Sequence, residues 1–201
     1  MHLVVVAGVS CAGKTYRVHQ SADGLAFLKE DMSDALRLDD VEFEKYPAGF
    51  KGKTLVLQYD LMRLSDYGIG SFAEDMLPAL LLQAETVDVV TLWECADTLV
   101  LRCQQRRRAL LFSLRLWVRP RQTLLRLARL KHKIDFYMQA KPLLAVYAGW
   151  FDFIGRQHID SHFLMQSSMN KAVRVASAAG ALRWLETRLA GDGRPQNNFM
   201  Q

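Results

Sequence analysis

The chain has 201 residues, half of them hydrophobic and 23% charged, with 12 Gly and 5 Pro. These proportions describe an ordinary globular protein and exclude a disordered or low-complexity one; a chain of this length buries roughly 70% of its unfolded surface in one core, which argues against two independent domains. The formal net charge of +5 inclines toward an anionic partner, whether nucleic acid, a membrane surface or a phosphorylated small molecule. Cys11, Cys95 and Cys103 form no C-x-x-C pair and stand at no metal-ligand spacing from a histidine, so they read as reduced thiols of a cytoplasmic protein. The N-terminus has no basic region and meets Gly8 after too few apolar residues for a signal peptide. No apolar run reaches the roughly 18 to 20 residues of a membrane span; the closest, Ala109 to Val118, is interrupted by Arg115.

In chain order, Leu3 to Ala7 is a continuous apolar, β-branched run, the pattern of a strand buried on both faces of a parallel sheet. Thr54 to Gln58 is a second such run. Phe72 to Glu85 has helical periodicity, with Phe72, Met76, Leu77, Leu80 and Leu81 on one face. Val87 to Trp93 is a third strand. Asp97 can cap a helix through Leu99, Cys103 and Leu110 that Pro120 breaks. Another long helix fits Thr123 to Ala140, and Pro142 kinks it or starts a further helix ending near Trp150 and Phe151. His162 to Gln166 is the fourth strand, and a last helix, about Asn170 to Ala190, stops at Gly191, Gly193 and Pro195. Strands alternating with helices predict an α/β domain over residues 1–190, with a mostly parallel sheet of about four or five strands flanked by helices. Residues 191–201 form a polar tail.

Directly after the first strand, Gly8-Val9-Ser10-Cys11-Ala12-Gly13-Lys14-Thr15 satisfies G-x-x-x-x-G-K-[ST] at every position. Gly8 and Gly13 permit a tight turn, so that backbone N–H groups from Ala12 to Thr15 surround a phosphate at a helix N-terminus. The octapeptide resembles the Walker A loop of P-loop NTPases, and the resemblance implies a three-layer P-loop NTPase-like fold. It also implies that Lys14 reaches the β and γ phosphates of ATP, that Thr15 holds Mg²⁺, and that Tyr16 extends the nucleotide-binding set. The N-K-x-D motif of small GTPases is not matched, because Asn170-Lys171-Ala172-Val173 ends without the Asp. Asp152-Phe153-Ile154-Gly155 matches D-x-x-G but follows a helix. What remains is similar to the small nucleoside, nucleotide and metabolite kinases.

Within that resemblance, Asp60 ends an apolar strand where such proteins hold Mg²⁺ through water or orient the acceptor hydroxyl. A solvated strand end or a helix cap accounts for Asp60 otherwise. Arg63 is placed like the Arg after the strand-end Asp in many such kinases, and an ion pair with a nearby carboxylate is an equally good account. Asp39 and Asp40 lie where those kinases grip an acceptor hydroxyl and take its proton; an acidic loop serves as well. Ser167 to Asn170, after the last strand, holds the position of adenine contacts. Arg102 and Arg106 share a helix face in a lid-like segment, residues 97–133, whose guanidinium groups are implied to close over the transferring phosphate.

The positive charge is concentrated in that segment. From Arg102 to Lys133 there are nine Arg and two Lys and no acidic residue, a local +11, while the remainder carries 15 basic and 21 acidic side chains, a net −6. Leu110, Leu111, Phe112, Leu114, Leu116 and Trp117 interleave with the arginines. A phosphate-closing lid, an amphipathic surface for anionic lipid or an acidic partner, and a nucleic-acid patch all fit this pattern. The reading that integrates these features is an ATP- and Mg²⁺-dependent phosphotransferase acting on a hydroxyl of a small metabolite. The alternatives are a non-catalytic nucleotide- or nucleic-acid-binding protein and a sulfotransferase-like enzyme. His158 and His162 lead into a strand without an H-E-x-x-H pattern and carry no metal reading.

Overall fold

The computed structural model describes residues 1–20, 25–28, 35–38, 54–113, 115–169 and 171–190. They fall into two compact units: residues 1–94 with 146–181, and residues 95–145 with 182–190. The predicted acceptor carboxylates Asp39 and Asp40, and the tail 191–201, lie outside the described residues.

The first unit is α/β. Its sheet has six strands among the described residues: β1 (His2–Gly8), β2 (Leu36–Leu38), β3 (Thr54–Asp60), β4 (Thr86–Trp93), β5 (Ser161–Gln166) and β6 (Lys171–Arg174). Their order is β2-β3-β1-β4-β5-β6, parallel throughout except for the antiparallel β5–β6 pair. β1 lies at the centre, and Leu3, Val4, Val5 and Val6 have no solvent exposure. That is why its sequence is apolar without alternation: both faces of a parallel sheet are covered. The four expected strands are present, and two more extend the sheet beyond the predicted four or five. β2 is three residues long and β6 pairs on one side only, so neither needed the apolar run that marks a central strand.

Several helices differ from their predicted form. The Phe72–Glu85 stretch is a 3₁₀ turn, Phe72–Glu74, followed by α2 (Leu77–Leu81) with Pro78 in its first turn; the earlier α1 spans Arg63–Tyr67. Proline lacks an N–H and disfavours helical backbone at the residue before it, so one continuous helix cannot pass through this point. Most of the apolar face survives the break: Phe72, Leu77, Leu80 and Leu81 are buried, while Met76, expected on the same face, is exposed at the N-cap of α2. The last helix, α7 (Ala178–Ala190), starts eight positions later than expected because the preceding segment is β6, and Ser177 Oγ accepts the Gly180 N–H at 3.1 Å in its first turn.

The C-terminal half of α6 (Ala140–Gly155) docks on the sheet through aromatic side chains. Trp150 stacks on Tyr59 at 5.5 Å between ring centres and meets Phe72 edge-on at 5.4 Å. Its indole N–H donates to Thr91 Oγ1 at 2.8 Å, and the Tyr147 hydroxyl donates to the Leu92 carbonyl at 3.0 Å. Both polar tips are thereby satisfied inside the core.

The second unit is helical: α3 (Ala96–Leu111), α4 (Arg115–Val118) and α5 (Pro120–Tyr137), with the first turns of α6 and most of α7. Cys95, rather than Asp97, occupies the N-cap of α3. Pro120 begins α5, where its missing N–H costs nothing, so the helix starts three residues before Thr123 and ends at Tyr137. Thr123, Leu127, Leu130, Ile134 and Tyr137 form one buried stripe along it, and the arginines occupy the remaining faces.

Candidate functional site

β1 ends at Gly8, level with Asp60 of β3 on one side and Leu92 of β4 on the other. From β1 the chain proceeds to β2 on one flank of the sheet, and from β4 to β5 on the opposite flank. In open α/β sheets this divergence at the carboxyl ends of the strands is where ligands bind. Gly8 is required there by close approach: a Cβ on it would lie 2.9 Å from the Leu92 carbonyl oxygen and 3.2 Å from Leu92 Cβ. Gly8→Ala is therefore expected to cost about 1–3 kcal/mol, read as a lower urea midpoint; an unchanged midpoint would remove the close-packing account of this glycine.

Beyond Gly8 the backbone alternates in hand. Cys11 has φ of 67° and Gly13 of 95°, on either side of Ala12, and alternating left- and right-handed residues turn successive N–H groups toward one concave point. The Ala12 N–H itself closes a turn on the Val9 carbonyl at 3.1 Å, so it serves the shape of the loop. Residues 14–15 are α-helical and Tyr16–Gln20 form a π-helical turn. The helical turn thus begins directly at Lys14, as the sequence led one to expect after the glycine loop.

Lys14 lies across the loop. Its Nζ donates to the Gly8 carbonyl at 2.7 Å and the Val9 carbonyl at 3.1 Å, and sits 3.4 Å from Asp60 Oδ2. Asp60 also accepts from Ser10 Oγ at 2.6 Å and from the Met62 N–H at 3.0 Å. Thr15 Oγ1 donates to Gln58 Oε1 at 3.0 Å, and Gln58 Nε2 meets His19 Nε2 at 2.7 Å. Gln58 and Asp60 are two apart on β3, so they share one face of the sheet, and the loop packs its hydroxyls against both. Ser10, Gln58 and His19 were not singled out by sequence. A polar residue at the end of an apolar strand, as Gln58 is, was the available signal, since a buried amide must find partners.

A second carboxylate, Glu94, follows β4, on the other side of β1 from Asp60. It is fully buried, accepting from Gln166 Nε2 at 3.1 Å, the Ser168 N–H at 2.9 Å and Ser168 Oγ at 3.2 Å. Arg17, also buried, donates to the Ser167 carbonyl at 2.8 Å. Ser167 and Ser168, expected by resemblance to approach adenine, are thus anchored from β4 and from the turn after the loop. Burial raises the Tyr147 hydroxyl pKa far above its ordinary value, and the charges of Asp60 and Glu94 raise it further; Tyr147 is a neutral structural support behind the loop. His162, hydrogen-bonded to Thr91 at 2.8 Å, is pushed down to about 4 by burial and is neutral at physiological pH.

Arg63 is placed away from solvent and paired. Its Nε lies 2.9 Å and an Nη 3.3 Å from the two carboxylate oxygens of Asp75, which also accepts from the Tyr59 hydroxyl at 2.6 Å. The ion-pair account of Arg63 is the one the contacts support. Arg102 and Arg106 lie on α3 in the second unit, the first half-buried and the second exposed.

The oxygen donors of Ser10, Thr15 and Asp60 have the hardness Mg²⁺ prefers, and Lys14 beside the loop amides matches a polyphosphate, so both groups fit the residues present. No family model, no curated protein and no solved structure matches the chain.

Proposed function

We propose that the protein is an ATP-binding phosphotransferase of P-loop type, transferring the γ-phosphoryl group to a hydroxyl of a small metabolite. The observation that carries this reading is the meeting of Lys14 with Asp60, 3.4 Å apart, at the ends of neighbouring parallel strands and under a loop of alternating backbone hand. A lysine, a carboxylate and inward-turned amides at one point are what a Mg²⁺-bound triphosphate requires.

In this reading the loop from Gly13 to Thr15 binds the phosphates by backbone N–H groups, and Lys14 exchanges its carbonyl partners for phosphate oxygens. Thr15 and Asp60 hold Mg²⁺, which, when bound, offsets charge on the β and γ oxygens. Ser10 orients the Asp60 carboxylate. Asp39 or Asp40 is assigned to the acceptor hydroxyl. Catalysis is positioning together with charge stabilisation.

The test is a thermal-shift screen of nucleotides with Mg²⁺, followed by ADP release in the presence of nucleosides, nucleotides and sugars. Stabilisation by ATP and acceptor-dependent ADP release are expected. Stabilisation by a sulfonucleotide in place of ATP would move the assignment to sulfuryl transfer, and no response to any nucleotide would remove the reading altogether.

A further inference from the structure

We propose that the connection between α3 and α5, together with the first turns of α5, is a docking surface for the anionic headgroups of a lipid bilayer. In the second unit, α5 packs along α3, and α4 contacts both. At this connection Phe112 is 89% exposed, Trp117 85%, Val118 75% and Leu125 63%. Single exposed apolar side chains are ordinary, but a run of them at one helical connection marks an interaction surface. The same stretch exposes Arg119, Arg121, Arg126 and Arg129, and no acidic residue occurs between Arg102 and Lys133.

A bilayer surface satisfies both halves of this composition. Trp, Phe, Val and Leu enter the boundary between headgroups and acyl chains, while guanidinium groups meet lipid phosphates and carboxylates. A groove of about 500 Å³ between α3 and α5, lined by Arg107, Arg108 and Lys131 with Asp135 beside them, adds cations within the same unit. Nucleic acid would use the arginines but leave Val118, Leu124 and Leu125 in water, because bases stack on aromatic faces and not on aliphatic ones. A second copy of the chain would set the exposed Arg119, Arg121, Arg126 and Arg129 against the same residues of its partner, which like-charge repulsion opposes. No helix among the described residues is long and apolar enough to cross a membrane, so the contact is with the bilayer surface. None of these side chains is assigned to the triphosphate, and the proposal stands apart from the nucleotide reading.

The experiment is co-sedimentation of the full chain with phosphatidylcholine vesicles, with and without about 30% phosphatidylserine. Binding to the anionic vesicles is expected to be at least about tenfold tighter, and to weaken as salt rises from about 0.1 to about 0.5 M. The pairs Arg119→Glu with Arg121→Glu, and Phe112→Ser with Trp117→Ser, are each expected to weaken it by about tenfold or more while the circular dichroism stays that of the parent. Trp fluorescence should shift to the blue on anionic vesicles, and Trp117→Phe should abolish the shift. Equal sedimentation with both vesicle types, or with neither, would overturn the proposal. So would a chain that ignores vesicles but binds a random oligonucleotide equally well with and without Phe112 and Trp117, or one that ignores vesicles and forms a dimer broken by the serine pair.

Discussion

Replacing Lys14 with alanine is expected to weaken Mg²⁺-ATP binding by about a hundredfold or more, a loss of about 2.7 kcal/mol or greater, with the fold retained. The ammonium group is the one side-chain cation in contact with both the Gly8–Thr15 loop and Asp60 among the contacts described at the loop. Charge-assisted hydrogen bonds to phosphate are stronger than those to neutral carbonyls, so its exchange of Gly8 and Val9 oxygens for phosphate oxygens favours the bound state. The substitution also has a structural cost, which a urea titration of the unliganded protein separates from the loss of affinity. Asp60 keeps Ser10 and the Met62 N–H, while two loop carbonyls each lose a bond from a charged donor, worth about 1.5–3 kcal/mol where the carbonyl stays out of water and less where water replaces the ammonium. Lys14→Arg should restore charge without restoring full affinity, because a planar guanidinium does not substitute for a compact ammonium at a crowded loop. Calorimetry on the parent and both variants reads these differences, and equal ATP affinity in parent and Lys14→Ala would detach the loop from nucleotide binding.

Arg63→Ala is expected to destabilise the protein by about 3–5 kcal/mol, the cost of leaving one partner of a buried ion pair uncompensated. That is a large share of the roughly 5–15 kcal/mol that holds a domain folded. Both side chains are only 4% exposed, and Tyr59, which bonds to Asp75, also stacks on Trp150, so the loss propagates into the aromatic contact between β3 and α6. The double replacement Arg63→Met with Asp75→Leu should recover much of the stability, since it removes the charge that the single change strands.

The same pair sets a dependence on acid. Burial acts to raise the pKa of Asp75, but hydrogen bonds from Arg63, Tyr59 and the Met76 amide, with the charge of Arg63, outweigh it and hold the carboxyl below its ordinary value. A carboxyl lowered in the folded state contributes stability that is complete above its unfolded pKa, near 4, and is lost as pH falls through the folded value. Urea titrations below about pH 4 should show this loss in the parent and a shallower one in Asp75→Asn; parallel acid limbs would remove Asp75 as its source.

The central strands were legible because burial on both faces writes an unbroken apolar run, as in Leu3 to Ala7. The turn after β1 was legible because Gly8 stands where the chain passes close to Leu92 and Gly13 where φ is positive, uses to which glycine is suited. Edge strands escaped because pairing on one side leaves little compositional trace: Lys171 to Arg174 reads as the start of the amphipathic segment that follows it. Periodicity located the inward face of Phe72 to Leu81 and missed the break that Pro78 imposes. Asp75 and Glu94 escaped for a different cause. Each gains its importance from a partner distant in sequence, Arg63 and Tyr59 for one, Gln166 and Ser168 for the other, and no local pattern records such a pairing.

Amide hydrogen exchange across residues 8–15, with and without Mg²⁺-ATP, tests the central claim most directly, because it reads the loop's own N–H groups and needs no acceptor. Slowed exchange at Gly13, Lys14 and Thr15 on adding Mg²⁺-ATP, reproduced by inorganic tripolyphosphate and absent with adenosine, is the expected result. Unchanged exchange in this loop at saturating Mg²⁺-ATP would contradict the assignment of these residues to a nucleotide's phosphates.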